Sequence, residues 1–378
     1  TSDDAVDHSP HIAAHGDQAL LVWTKSTGLT TVLNAGEDQP GKDDHRLYYS
    51  AWNNGVWSTP EAISSVSETV MDAHLVMEGE TGLLLYTLDM DQDLYTTEDR
   101  EVFVRLYERN AWSDAIRLSN NSYHDCAPKA VFVESNWFIT WLQEGNILYR
   151  YGLDGDIKDE ERLQNIQGDY QIAVVPGEKP LVSLVHIKPG EDMTTGAHAF
   201  FYDLTLEQWG NSVALSDLEN HVKAISLVST QDGNINVAYT QADIITEANP
   251  IVIEGVKQFV ETPAIGNQTD MKLLTYTPVH DVALSKEDGI LLSTEFPLPE
   301  ILTSVYVTVQ NQGDYAEYVN VRIYDGDPNE QGVLIGETPM QLLPAHTSKE
   351  LEIPWLVDTE EKATYHLYAT IEPQFGVQ

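Results

Sequence analysis

The chain has a single cysteine. With Cys126 standing alone, no intrachain disulfide can form and no metal site can be built from several thiolates. No apolar run reaches the ~18 residues that a membrane-crossing helix needs. Basic residues are scarce, 20 Lys and Arg against 60 Asp and Glu, for a formal charge of −40. An excess of that size repels nucleic acid and anionic membrane surfaces and argues against both as partners. It attracts cations, and it keeps a protein soluble in salty surroundings. Catalytic signatures are also missing: there is no G-x-S-x-G, no H-E-x-x-H, no P-loop and no dinucleotide fingerprint. Between residues 1 and 280 no stretch keeps a helical period. The chain opens at "TSDDAVDHSP" with neither Met nor a leader peptide, and it reads as a processed chain or a part of a larger polypeptide.

What is present is a repeat. The stretches "HRLYYSAWNNGVWSTPEAIS" (45–64), "REVFVRLYERNAWSDAIRLS" (100–119), "GNILYRYGLDGDIKDEERLQ" (145–164) and "HAFFYDLTLEQWGNSVALS" (198–216) each alternate apolar and polar residues and turn on Asn-Gly, Asp-Gly or a short polar link, as hairpins do. A weaker fifth is "MKLLTYTPVHDVALS" (271–285). Ahead of each lies a second strand pair, beginning with "PHIAAHGDQALLVWT" (10–24) and "AHLVMEGETGLLLYT" (73–87). Four antiparallel strands per unit predict an all-β fold with a β-propeller over residues 1–280 in which five blade-like repeats are visible, the fifth short of an outer strand, so that closure is irregular or further blades lie upstream. Trp23, Trp57, Trp112, Trp141 and Trp209 recur at equivalent strand positions, which points to packing between blades.

From "HDVALSKEDGILLS" at 280 the spacing changes to strands every 8–12 residues, the pattern of an immunoglobulin-like β-sandwich over 281–378. The propeller units resemble those of secreted bacterial β-propellers of sialidase and lectin type, through "DHSPHIAAHGDQALLVWT" and "LYYSAWNNGVWSTPEAIS". They depart from sialidases in lacking the S-x-D-x-G-x-T-W box in every unit. The C-terminal region is similar to CARDB domains of bacterial surface proteins, through "VTVQNQGD" (307–314), "VNVRIYDGDP" (319–328), "GVLIGE" (332–337) and "KELEIPW" (349–355). That resemblance implies a spacer or docking role, with Val309, Tyr324 and Trp355 as core.

In a four-stranded blade, the connection into strand one and the connection from strand two to strand three share one face. The loops predicted there are long: 25–44, "DMDQDLYTTEDRE" (89–101), 186–197 and 241–270. Long loops on a rigid scaffold are where function concentrates. The loop 89–101 resembles a calcium loop of D-x-D-x-D type, with Asp89, Asp91 and Asp93 as ligands, Asp99 or Glu101 closing the shell and Tyr95 offering a carbonyl. It is not an EF-hand, because Leu94 replaces the glycine and Arg100 stands where a bidentate Glu belongs. An acidic surface loop with no ion is the alternative.

His8, His74, His124 and His221, with Asp7, Asp72, Asp125 and Asp169, fall near the starts of the first strands, where a propeller gathers side chains at the mouth of its channel. Such a ring suits sugar hydroxyls, a transition metal, or general acid–base work by His8, His74, His124, Asp125 and His221. The same residues can instead cap turns and stitch blades together. The expected function is an extracellular or cell-surface binding and adhesion module, stabilised by Ca²⁺, that recognises a glycan or a surface protein within a larger assembly. The alternative is a polysaccharide lyase or glycoside hydrolase using the His/Asp ring.

Overall fold

The computed structural model of the chain describes residues 5–27, 44–53, 55–65, 68–133, 136–153, 156–157, 161–163, 166, 168–204, 206–253, 256–286, 289–358 and 364–373. Among them there is no α-helix. The contacts divide the chain into two compact units, Thr1–Val174 and Val175–Gln378.

The first unit holds three antiparallel meanders built to one plan. The first comprises β1 (Val6–His15), β2 (Gln18–Thr27), β3 (Asp44–Asn53), β4 (Val56–Trp57) and β5 (Glu61–Ala62). The second comprises β6 (Thr69–Glu78), β7 (Thr81–Asp89), β8 (Arg100–Glu108), β9 (Ala111–Trp112) and β10 (Ile116–Arg117). The third comprises β11 (Asp125–Val133), β12 (Asn136–Gln143), β13 (Asn146–Leu153), β14 (Asp156–Ile157) and β15 (Glu161–Leu163). In each, the fourth strand is broken into two short pieces that both pair with the third strand. In the first two meanders the serines of the repeated "WS" and "-S" endings sit at the break. Ser58 and Ser113 accept the N–H of Ala51 and Leu106 at 3.0 Å, and Ser64 and Ser119 accept those of Leu47 and Val102 at 2.9 Å. A side-chain oxygen takes the place of a ladder carbonyl where the outer backbone swings away.

The two-residue turns Gly16–Asp17 and Gly79–Glu80 join strand one to strand two, with Gly16 at φ +59° and Gly79 at φ +57°. A positive φ at the first central position is what a type II′ hairpin requires, and glycine adopts it without strain.

Sheets pack face to face in chain order. Leu20, Val22 and Leu47 of the first meet Leu84, Tyr86 and Phe103 of the second, while Leu83, Leu85 and Val102 on its other face meet Trp137, Ile139 and Trp141 of the third. Strand β7 is thus buried on both faces, which is why "LLLYTL" is an unbroken apolar run where a one-sided strand would alternate.

A fourth meander contains β16 (Tyr170–Val175), β17 (Leu181–Pro189), β18 (Thr195–Asp203), β19 (Gln208–Trp209) and β20 (Val213–Ala214). It is joined to a fifth through the one bridge Thr195↔His221. The fifth has three strands, β21 (His221–Ser229), β22 (Ile235–Ile253) and β23 (Val256–Tyr276). Among the described residues it has no broken outer strand, because "VALS" enters the C-terminal region as β24 (Val282–Leu284).

Two of the predicted long loops are corrected. Residues 241–270 continue β22 and β23 as a ladder running out to Ile253↔Val256, and 186–197 shrink to the turn 190–194. The loop predicted at 25–44 lies for the most part outside the described residues. The connection 90–99 remains a loop.

The C-terminal region is a two-sheet sandwich. One sheet has β24, β25 (Ile290–Leu292), β26 (Leu302–Asn311) and β30 (Thr347–Leu356). The other has β27 (Glu317–Asp325), β28 (Val333–Glu337), β29 (Gln341–Leu343) and β31 (Leu367–Pro373). Val305, Val307 and Val309 face Val319, Val321 and Ile323 across the core, with Ile353 and Trp355. Tyr324, expected in that core, is half-buried on the other side of its strand, since Ile323 takes the inward position. Within this unit the sandwich is tied to the strand before it. Buried Asp314 accepts hydrogen bonds from Tyr276 Oη at 2.9 Å, Val279 N at 2.8 Å and His346 Nε2 at 2.9 Å.

Candidate functional site

The first strands β1, β6 and β11 lie against one another, and each carries the same irregularity. The register slips between His8 and His11, between Val70 and Ala73, and between Cys126 and Lys129. Bulges re-aim side chains. Here they bring together His11, Asp72, His74, Lys129, Asp169 and Tyr170. Asp72 Oδ2 accepts Ala127 N at 3.2 Å, His74 Nδ1 accepts Ala130 N at 3.1 Å, and Tyr170 Oη donates to Ala127 O at 2.8 Å. The Lys129 ammonium stands 5.4 Å from the centre of the Tyr170 ring.

Burial lowers the Lys129 ammonium from its ordinary range, against the opposing pull of Asp169 and Asp72. Burial first, then Lys129 and His11, holds the His74 imidazole down to about 3; burial and Lys129 also lower His11. Both imidazoles are therefore neutral at physiological pH; His11 has one donor and one acceptor nitrogen, while His74, whose Nδ1 accepts Ala130 N, has its Nε2–H left to donate. The Cys126 thiol is pushed up to about 11, chiefly by burial, so it is no nucleophile. The cluster thus presents exposed carboxylates at Asp72 and Asp169, a cation and two neutral imidazoles.

Of the eight residues predicted for the ring, Asp72, His74 and Asp169 are brought together here. The other five are placed elsewhere. His8 Nε2 shares a 2.7 Å hydrogen bond with Ser26 Oγ, which also meets His45 Nδ1 at 3.0 Å. Asp125 is fully buried and accepts from Trp141 Nε1 at 3.2 Å, Gln143 Nε2 at 2.8 Å and Asn121 Nδ2 at 2.9 Å. Asp7 does the same for Trp23 Nε1 at 2.8 Å, so these two aspartates stitch strand one to strand two. His124 is half-buried ahead of β11, where it helps keep the Glu98 carboxyl low after the backbone N–H groups of Thr97 and Glu98. His221 Nδ1 donates to Met193 O at 2.7 Å. His11, Lys129 and Tyr170 were not anticipated. Aligning "SPHIA" with "APKAV" exposes the first two, since both follow a proline at the bulge.

In the connection 90–99, Asp99 Oδ2 accepts the N–H groups of Met90 at 3.0 Å and Asp91 at 2.8 Å. Asp91 Oδ1 accepts Asp93 N at 2.7 Å, and Asp93 Oδ1 accepts Tyr95 N at 3.1 Å. Arg100 reaches Asp89 Oδ2 at 3.3 Å and Leu94 O at 3.2 Å. One oxygen from each of Asp89, Asp91 and Asp99 falls within 4.8 Å of the others. Asp93 and Glu101, predicted as ligands with them, are outside that group. Glu101 instead accepts Ser119 Oγ at 2.5 Å and Asn121 N at 2.8 Å and pairs with Arg117 at 2.8 Å.

A pair of buried histidines lies in the second unit. His186 stacks on Phe200 at 5.4 Å and faces His198 at 6.1 Å. Burial, then His198, lowers His186 to about 4, whereas an unfolded histidine titrates near 6.5. Between those values the unfolded chain takes up a proton that the folded one refuses, so stability is full above pH ~6.5 and declines as pH falls toward 4. His186→Phe keeps the stacking and should flatten that part of the curve in urea unfolding at about pH 7, 5.5 and 4.5. A wild-type pH slope in the variant would contradict this.

No family model matches the chain, and no curated protein does. Among solved structures it is similar to a Trypanosoma rangeli sialidase in complex with sialic acid, at 11% identity over 99% of this chain and 75% of that one, with a TM-score of 0.42. It is also similar to an exo-β-1,3-galactanase of Phanerochaete chrysosporium, at 10% identity over 96% and 95% of the chains, with a TM-score of 0.35. A third is a Bacillus subtilis glycoside hydrolase family 43 arabinoxylan arabinofuranohydrolase, at 10% identity over 96% and 94%, with a TM-score of 0.37.

Proposed function

We propose that the chain is an extracellular carbohydrate-binding module in which five propeller-type blades are followed by a CARDB-like, immunoglobulin-type sandwich that docks it within a larger surface assembly. The observation that carries the reading is the cluster at the strand-one bulges. Sugar hydroxyls are donors and acceptors at once, and Asp72, Asp169, Lys129 and the neutral imidazoles of His11 and His74 answer both roles. The net charge of −40 speaks against polyanionic ligands and for neutral polysaccharides. A second reading, a polysaccharide lyase, is favoured by the depressed Lys129 ammonium, since an amine poised nearer neutrality can abstract a proton.

Titration of the full chain with neutral polysaccharides by calorimetry or affinity electrophoresis tests the proposal. Lys129→Met should weaken binding by about tenfold or more, the weight of one charge-assisted hydrogen bond. Chain shortening or unsaturated products that vanish in the same variant would favour the lyase. Equal binding by wild type and variant, or no binding at all, would remove the cluster as the site.

A further inference from the structure

The connection after β7 departs from the repeat in one respect. Register equates three residues at the end of strand two, through the pairs Asp7↔Lys25, Thr69↔Asp89 and Asp125↔Gln143. Gln143 is satisfied at that position, donating to Asp125 and accepting from Arg162 Nη2 at 3.0 Å. The second sheet alone places a carboxylate there. The Asp89 side chain is 0% exposed, and opposite it stands a threonine where the third sheet has an aspartate.

Arg100 takes up only one oxygen of that carboxylate. Asp89 Oδ1 is buried with no hydrogen-bond donor, and so is Asp99 Oδ1, whose other oxygen caps two backbone N–H groups. Buried acceptors are almost always satisfied, and an orphaned carboxylate oxygen is among the costliest to leave so. Asp91 contributes an exposed carboxylate to the same spot. Three carboxylates against one guanidinium leave a local excess of two negative charges, gathered within 4.8 Å where they repel one another.

We propose that Asp89, Asp91 and Asp99 bind one calcium ion, independently of whatever the first-strand cluster holds. The donors are all hard oxygens on a pliable loop, with no imidazole or thiolate among them. That set suits Ca²⁺ better than Zn²⁺, and better than Mg²⁺ with its strict octahedron. Asp93 and Glu101 are not ligands. The first lies outside the group of oxygens that converge within 4.8 Å, and the second is engaged by Ser119, Asn121 and Arg117.

The test is calorimetric titration of the chelator-treated full chain with CaCl₂ at about 0.15 M NaCl, which screens diffuse attraction to an acidic surface. One ion per chain should bind, with MgCl₂ at least about tenfold weaker. Asp91→Asn and Asp99→Asn each keep an oxygen for the backbone N–H groups they cap, and each should weaken Ca²⁺ binding by about tenfold or more. Asp93→Asn, in the same loop with the same loss of charge, should stay within about twofold. If Asp99→Asn fails to fold, Asp91→Asn at its exposed position decides alone. The proposal is overturned if uptake is non-stoichiometric, if Asp91→Asn binds as wild type does, or if Asp93→Asn loses as much as the others.

Discussion

Trp141→Ala should destabilise the first unit by about 4 kcal/mol, the upper part of the range for truncating a buried tryptophan. The side chain is 0% exposed and fills the space between the second and third sheets, against Leu83, Leu85, Val102 and Leu148. No neighbouring loop can collapse into the cavity, because both walls are hydrogen-bonded sheet. At about 2–4 °C per kcal/mol for a unit of this size, its melting transition should fall by about 10 °C. Trp141→Phe separates packing from hydrogen bonding. It keeps most of the volume but removes the indole N–H from Asp125, which retains Gln143 and Asn121, so the loss should be nearer 1 kcal/mol. Calorimetric scans of both variants check this. Comparable losses in the two would mean that the hydrogen bond, not the packing, dominates.

Asp314→Ala should cost about 3 kcal/mol in the second unit and uncouple the sandwich from the strand that precedes it. The carboxylate accepts from Tyr276, Val279 and His346, and its removal leaves three donors unsatisfied at a junction with no apolar substitute. Gly313→Ala should act at the same place without touching charge, because a Cβ there would come within 2.5 Å of Asp281 N and Val279 O. In both variants limited proteolysis should cut between residues 277 and 281, and thermal unfolding of the unit should split into two transitions. A single transition with wild-type protease resistance would show that other contacts, such as Asn211 Nδ2 to His346 O at 2.7 Å, suffice.

The strands and meanders were legible because burial imposes a period. Val305, Val307 and Val309 alternate with polar residues and face one core, and the Gly16 and Gly79 turns sit where hairpins need them. The extended hairpin 243–266 was not legible. It carries Pro250 and Pro263, which read as loop residues, yet in a two-stranded ribbon a proline needs no outer partner for the N–H it lacks. The first-strand cluster was half legible for a related reason. The slip between Cys126 and Lys129 and its counterparts breaks the period-two pattern, so counting along the strand assigns His11 and Lys129 to the wrong face. Asp72 and His74 were found because chemistry, not period, singles them out. Six carboxylates in residues 89–101 were conspicuous, but only tertiary structure separates those that converge from Glu101, which Ser119 and Arg117 draw away.

The broken fourth strands bear on how copies of this chain behave when crowded. Intermolecular sheet growth needs a run of unsatisfied backbone N–H and C=O groups along an outermost strand. In the first three meanders that position holds only fragments such as Val56–Trp57 and Ile116–Arg117, and in the first two serine oxygens occupy the nearest donors of strand three. Strand β23 is different: it is outermost in its meander, runs unbroken from Val256 to Tyr276, and pairs on one side only. Its exposed Met271 and Leu273 add apolar surface beside that bare edge. That rim is open to self-association by strand addition, which a lysine or proline substitution in 267–275 would suppress.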